Sequence, residues 1–284
     1  MIMATLLAFA ALSCKKDEVV PDGFNNDGAS KALFTVGEGT TVHFSRGNLQ
    51  YRASTDSWRF AERQYDFAGA SNANASSTYA DWIDLFGWGT SGWDGSGAAC
   101  YHPWDTVSTD PTLYGPQGAE NLVGSYANAD WGRFNAIANG GGQSQKGTWR
   151  TLTVSEWYYL FFYRADASSK YGAAVVDGVK GVVVLPDTWT LPDGLAFTAG
   201  MGAADANVYT EEQWQRMESA GAIYLPSAGG RRGSTLIGVG ESGSYWSSSC
   251  VGDDGADYVG FLGGLGADSL YSRYYGRSVR LVKE

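Results

Sequence analysis

Histidine is almost missing from this chain: His43 and His102 are the only two in 284 residues, and they lie far apart in sequence. A hydrolytic triad or a histidine-built zinc centre therefore has little material. Cysteine is scarce too, with Cys14, Cys100 and Cys250 and no CxxC spacing, so a zinc ribbon or a dithiol redox pair is excluded. Whether Cys100 and Cys250 meet is left open by sequence. Charged residues make up 18%, the formal net charge is -10, and no run of Lys or Arg reverses it locally. Phosphate backbones are repelled, which excludes nucleic acid as a partner. The longest apolar run near the start, residues 6–12, is too short to cross a bilayer. What the chain has in quantity is glycine, 39 residues, and tryptophan, 11 residues, the composition of many tight turns around aromatic cores.

The apolar run ends at Ser13, directly before Cys14, and reads as a secretory h-region with its cleavage site. Ala11-Leu12-Ser13-Cys14 resembles a bacterial lipobox, with Ala11 where leucine is usual. That resemblance implies acylation of Cys14 and anchoring by lipid chains, the alternative being an ordinary signal peptide. Lys15-Lys16-Asp17-Glu18 looks like the signal that sends some lipoproteins to the outer face of the outer membrane. Residues 15–30 are polar, turn-rich and without apolar period, as a solvated tether would be. The expected organisation is a signal peptide over 1–13, a tether over 14–31 and one folded domain over 32–284.

Within that domain, Leu33-Phe34-Thr35-Val36 and Val42-His43-Phe44-Ser45 alternate apolar and polar residues around Gly37-Glu38-Gly39, predicting a β-hairpin. Trp58-Arg59-Phe60 predicts another short strand, and residues 76–86 a short helix. The glycine-rich stretch over 69–125 lacks a regular period, so its packing falls to its own Trp82, Phe86, Trp88, Trp93 and Trp104. Thr153 with Glu156 forms a capping box for a helix carrying Trp157, Leu160, Phe161 and Arg164. The β-branched run over 182–185 predicts a buried strand. Thr210 with Gln213 opens a second helix, with Trp214 and Met217 inward and a stop near Gly221. Ile223-Tyr224-Leu225-Pro226, Tyr245-Trp246-Ser247-Ser248 and a closing strand over 277–282 complete an α+β order.

Trp149-Arg150-Thr151-Leu152-Thr153 followed by Glu156-Trp157 and Tyr159-Leu160 resembles a segment of the formylglycine-generating-enzyme branch of the C-type lectin fold. Together with Tyr245-Trp246-Ser247-Ser248 and the terminal Gly276-Arg277-Ser278-Val279-Arg280-Leu281-Val282, the chain resembles lectin-like surface lipoproteins diversified by diversity-generating retroelements, and their non-diversified paralogues. The resemblance implies a C-type-lectin-like fold and a variable region over 247–275. In such systems adenine-directed substitution of Asn codons never yields Lys, Glu, Gln, Met or Trp. Residues 247–275 contain none of the five, whereas they fill 39 of the 255 other positions; about four would be expected by composition. A glycine-rich loop that merely avoids long side chains is the plainer explanation of the same fact.

Alternation in this segment turns Val259 and Phe261 inward and Tyr258, Gly260 and Leu262 outward. Tyr258, Tyr271, Tyr274 and Tyr275 supply stiff amphipathic contact area, and Val251, Asp253, Asp254 and Asp257 adaptable contacts, as in antibody loops. Leu262, Leu265 and Leu270 are read as exposed apolar anchors. The three aspartates are the nearest thing to a calcium site, but a solvated charged loop explains them as well, and no metal or cofactor is assigned. The paired cysteines of the formylglycine-generating enzymes are not matched, because Cys100 lies 150 residues before Cys250. Gly238-Val239-Gly240-Glu241-Ser242-Gly243 spells GxGxxG without a following helix and reads as a turn. The expectation is a non-enzymatic surface binder for a protein or, less readily, a glycan; a glycan-binding or structural surface lipoprotein of the same fold, not diversified, is the alternative.

Overall fold

The computed structural model describes residues 20–106, 108–261 and 264–284, with the backbone alone over 267–271. It is a mixed α+β fold, mostly strands with few helices. β1 (Phe34–Gly37) and β2 (Thr40–Phe44) form the expected hairpin, Phe34 opposite Val42. β3 (Leu49–Arg52) and β4 (Ser57–Phe60) form a second, and β5 (Arg150–Thr151) follows after the long glycine-rich stretch. β6 (Tyr171–Val176), β7 (Val179–Val184), β8 (Val208–Tyr209) and β9 (Ile223–Pro226) make a sheet in the order β8-β6-β7-β9. β10 (Gly230–Arg232) and β11 (Thr235–Ile237) are a small hairpin. β12 (Gly243–Val251), β13 (Gly255–Phe261) and β14 (Leu265–Ser272) form a three-stranded antiparallel meander. β15 (Leu281–Lys283) inserts between β2 and β5 and ties the end of the chain to the first hairpin.

Of the helices, α1 (Trp131–Phe134) is a single turn held by the Asp130 cap. α2 (Val154–Tyr158) carries the capping box as read, and Glu156 also takes both guanidinium nitrogens of Arg150, at 2.7 and 2.8 Å. It continues as a π-turn over Tyr159–Tyr163, so Arg164 falls just past the helix, buried beside Asp187. α3 (Glu211–Ser219) has its Thr210/Gln213 box and buries Trp214 and Met217.

Three expectations are corrected. Residues 76–86 form no helix; they run as turns with isolated bridges at Ile83 and Phe86, because their backbone groups pair with Tyr51 and Arg277. The described part of the tether, residues 20–31, packs into the domain: Phe24 and Ala29 are buried, and Ser30 N–H donates to the Phe44 carbonyl. The closing strand begins only at Leu281, since Arg277 and Ser278 bridge two different partners, Phe86 and Tyr245.

Among the described residues the core has three parts. The first joins the β1–β2 hairpin, α2 and the β7–β9 edge to Tyr245, Val259 and Phe261. A second gathers Trp58, Phe86, Trp88, Trp131 and Trp149 around Trp246 and Ala256, with Trp93 and Trp104 packed against it, and a third lies between the β6–β9 sheet and α3. The meander is therefore buried on both faces at its base, and neighbours such as Tyr245 and Trp246 go to opposite cores by strand alternation. Of the aromatics expected to pack the irregular stretch, Phe86 and Trp88 are fully buried, whereas Trp82, Trp93 and Trp104 are only half-buried.

Candidate recognition surface

The meander sorts the candidate residues by register. Val259 sits opposite Tyr245 and is fully buried; Phe261, opposite Gly243, is nearly so, and both face the first core as read. Any Cβ on Gly243 would collide with the Phe261 ring at 2.0 Å, so the close approach of β12 and β13 requires glycine there. Tyr258 lies on the other face and is half-exposed. Its ring meets Trp246 edge-on, centroids 6.2 Å apart, and the Arg277 guanidinium stands 3.6 Å from its centre. Arg277 is also 5.9 Å from the Tyr275 ring, Tyr275 stacks on Tyr274 at 4.7 Å, and Arg232 stands 5.8 Å over Tyr274. Tyr258, Arg277, Tyr275, Tyr274 and Arg232 thus form one continuous band in which cations alternate with half-exposed phenols.

The β12–β13 turn extends from the same sheet. Gly252 takes the left-handed conformation, φ 62°, and leaves Val251, Asp253 and Asp254 exposed. This turn is held from beneath by one buried cation. Arg273 donates to the carbonyls of Gly252, Gly255, Tyr114, Pro116 and Gly118, at 2.9, 3.1, 3.3, 2.9 and 3.0 Å, and stacks over Trp88 at 4.7 Å. Its own N–H reaches the Asp254 carbonyl, and Cys250 N–H donates to Asn121 Oδ1. Five carbonyls around a guanidinium use its planar fork fully and fasten the hairpin to the 114–118 loop.

Not every predicted site residue stands on this surface. Asp257 is buried, for it shares a strand face with Val259 and Phe261. Leu265 is only half-exposed and packs on the first core, because its register partner is Phe261. The reading of both as exposed contacts is corrected. Leu262 lies outside the described residues, as does Cys14; Leu270 and Tyr271 are described by backbone only, paired with Asp257 and Ala256. Cys100 and Cys250 are both free thiols. Burial pushes the Cys250 thiol up, against the opposing pull of Arg273.

Sequence reading missed Arg232 and Arg273 and gave Arg277 only to a closing strand. The signal was present: Arg273, Arg277 and Arg280 are the only cations between 243 and 282. Cations in so glycine-rich and aromatic a stretch must find carbonyls or ring faces. Glu156 is committed to Arg150 and its helix cap, and residues 238–242 form the turn from β11 to β12, with Gly243 opening β12. The arrangement offers stacking, cation–π contact and hydrogen bonding, which are means of recognition. No family model, curated protein or solved structure matches the chain.

Proposed function

We propose that the chain is a surface-displayed ligand-binding protein of C-type-lectin-like fold, anchored by lipid at Cys14 and diversified by a retroelement over residues 247–275. One observation carries the reading. The segment that lacks Lys, Glu, Gln, Met and Trp is the segment that presents both the exposed turn at Val251, Asp253 and Asp254 and the half-exposed Tyr258, Tyr274 and Tyr275. Buried neighbours in the same segment, Val259, Phe261 and Arg273, hold those positions in place. Clustered tyrosines with interspersed small and acidic residues contribute contact area at low entropic cost, which favours a protein ligand.

The deciding test is genomic. A nearby template repeat should match the codons for 247–275 everywhere except at adenines, with mismatches concentrated at Val251, Asp253, Asp254, Tyr258, Tyr274 and Tyr275. Absence of any such repeat would leave a fixed binder and sink the diversification reading. The anchor is tested separately: Cys14→Ser should release the protein from membranes with its thermal midpoint unchanged, since anchor and fold are independent.

A further inference from the structure

The π-turn that continues α2 gathers aromatic rings on the outside of the protein. Trp157, Leu160 and Phe161 enter the first core, while Tyr158 and Tyr159 are half-buried and Phe162 and Tyr163 are 40% and 65% exposed. The Tyr159 carbonyl accepts from Arg164 N–H at 2.9 Å. This closure of i to i+5 returns both Phe162 and Tyr163 over Tyr158, with ring centroids 4.9 and 5.4 Å apart. Tyr163 also meets Tyr159 at 6.4 Å, so the four rings make one patch. We propose that this patch rests on a lipid surface, at the boundary between the headgroups and acyl chains of a zwitterionic phospholipid bilayer, and fixes the orientation of the domain on it. The proposal rests on the lipid anchor at Cys14.

The length of chain ahead of the domain makes the choice of partner. Cys14 precedes Val20 by six residues, a span of at most about 22 Å, whereas a domain of this size is roughly 45 Å across. A bilayer holding Cys14 can therefore meet only the half of the surface nearest Val20. Val20 packs on the same core as Tyr158, and short contacts join that end of the chain to the patch. Lys31 donates from its N–H to the Gly23 carbonyl at 2.9 Å and from Nζ to the Asp22 carbonyl at 2.6 Å. Two residues on, the exposed Leu33 accepts from Asp187 N–H at 3.1 Å. Asp187 pairs in turn with Arg164 at 3.4 Å, directly after Tyr163.

The chemistry of the patch suits that surface. From Trp157 to Ala165 the only charge is Arg164, buried beside Asp187, and Glu156 before them is held by Arg150. The first exposed carboxylate after the patch is Asp166. In a chain of net charge -10 this is a local gap in the negative charge, while the excess elsewhere turns the domain away from anionic lipid. A tyrosine at a bilayer surface keeps its hydroxyl among the headgroups and its ring against the first methylenes, and phenylalanine enters beside it. Four rings bind a bilayer only weakly, so the patch orients a domain that the acyl chains retain.

The test uses the acylated chain in vesicles of phosphatidylcholine brominated in its acyl chains. Cys250→Ser removes the half-buried thiol, and one fluorophore is attached through Ala165→Cys beside the patch or through Val251→Cys at the recognition turn, both exposed positions. Flotation reports attachment, and quenching by bromine reports which side meets lipid. Attached chains should be quenched about threefold more, or better, at Ala165→Cys than at Val251→Cys. Phe162→Ser with Tyr163→Ser should remove that difference and leave flotation and the thermal midpoint unchanged. Tyr163→Ser alone, at the most exposed ring, keeps the test valid if the double variant fails to fold. Chains that float with equal quenching at the two positions, or with none at Ala165→Cys, overturn the proposal and leave the anchor standing. So does energy transfer between labelled copies in place of quenching, which would make the patch an interface between two chains. Chains that fail to float sink the anchor reading, and this proposal with it.

Discussion

The two faces of β13 carry aromatic side chains in different company. On the inner face Phe261 stacks with Tyr245, centroids 6.1 Å apart, beneath a layer that includes Phe44 and Trp157. On the outer face Tyr258 meets one ring edge and the plane of a guanidinium. The inner rings are enclosed by apolar surface and serve packing. Tyr258, Tyr274 and Tyr275 are braced by arginines, which fix their position while leaving part of each ring to solvent. An aromatic partnered by cations is rigid without being buried, and that combination suits a contact surface.

The comparison breaks most readily on the inner side. Phe261→Ala and Trp157→Ala should each cost roughly 3 to 5 kcal/mol, as large buried aromatics do. Thermal or denaturant melts that barely move would mean the meander's faces are assigned the wrong way round. Arg273→Met should be of similar size, roughly 3 to 5 kcal/mol, because it strips five carbonyls of their donor inside the fold. Its distinguishing readout is local: hydrogen exchange should rise over both 114–118 and 252–255, the two segments the guanidinium joins.

How far these features were legible follows from the range over which each is determined. Capping boxes at Thr153/Glu156 and Thr210/Gln213 involve residues three apart, so both helices were readable. The same holds for the inward Val259 and Phe261, where period-two alternation is enough. The same alternation places Asp257 inward, so its burial was legible too; reading it as an exposed contact let the polarity of a carboxylate outweigh the strand face. Leu265 depended on cross-strand register with Phe261, and register is invisible in a single strand. The Arg273 cluster joins carbonyls up to 159 positions away, beyond the reach of any local pattern. Residues 76–86 are no helix because long-range pairing of Ile83 with Tyr51 and of Phe86 with Arg277 takes their backbone groups, and only Ala80 and Leu85 among them are strong helix formers.

A smaller effect comes from behind the outer band. The segment Asp84-Leu85-Phe86 accepts from Arg231 at Leu85 and from the Trp246 indole at Phe86, so it supports β10, which carries Arg232, and the ring on which Tyr258 rests. Asp84 is fully buried, and desolvation pushes its carboxyl up to about 6 despite hydrogen bonds from Asn72 and Ala68. Its folded form holds the proton more tightly than the unfolded chain, whose carboxyl titrates near 3.8. Ionisation therefore favours unfolding progressively from about pH 4 to pH 6, and the loss is complete above that, with an upper bound of about 3 kcal/mol. Asp84→Asn lacks this titration. The thermal midpoint of Asp84→Asn minus that of the natural chain should rise between pH 4 and pH 6 and then level off; a flat difference would show that Asp84 is ionised throughout.

The smallest stability effect is expected at the exposed turn, where the functional consequence should be largest. Val251, Asp253 and Asp254 project into solvent, and what fixes the turn is the backbone: Gly252 in its left-handed conformation, and carbonyls of Gly252 and Gly255 on Arg273. Replacing the three side chains with Ser leaves all of those contacts in place, so each change should stay within about 0.5 kcal/mol. Gly252→Val, by contrast, forces a β-branched residue to a positive φ and should destabilise by roughly 1 to 3 kcal/mol. If the turn and the tyrosine band act together, the triple Ser variant should keep the natural melting curve and lose binding to any ligand isolated by surface display against this chain. Tyr274→Ser with Tyr275→Ser should lose the same ligand. Loss in only one of the two variants would confine recognition to that part of the surface, and a triple variant that unfolds would make the turn a part of the framework.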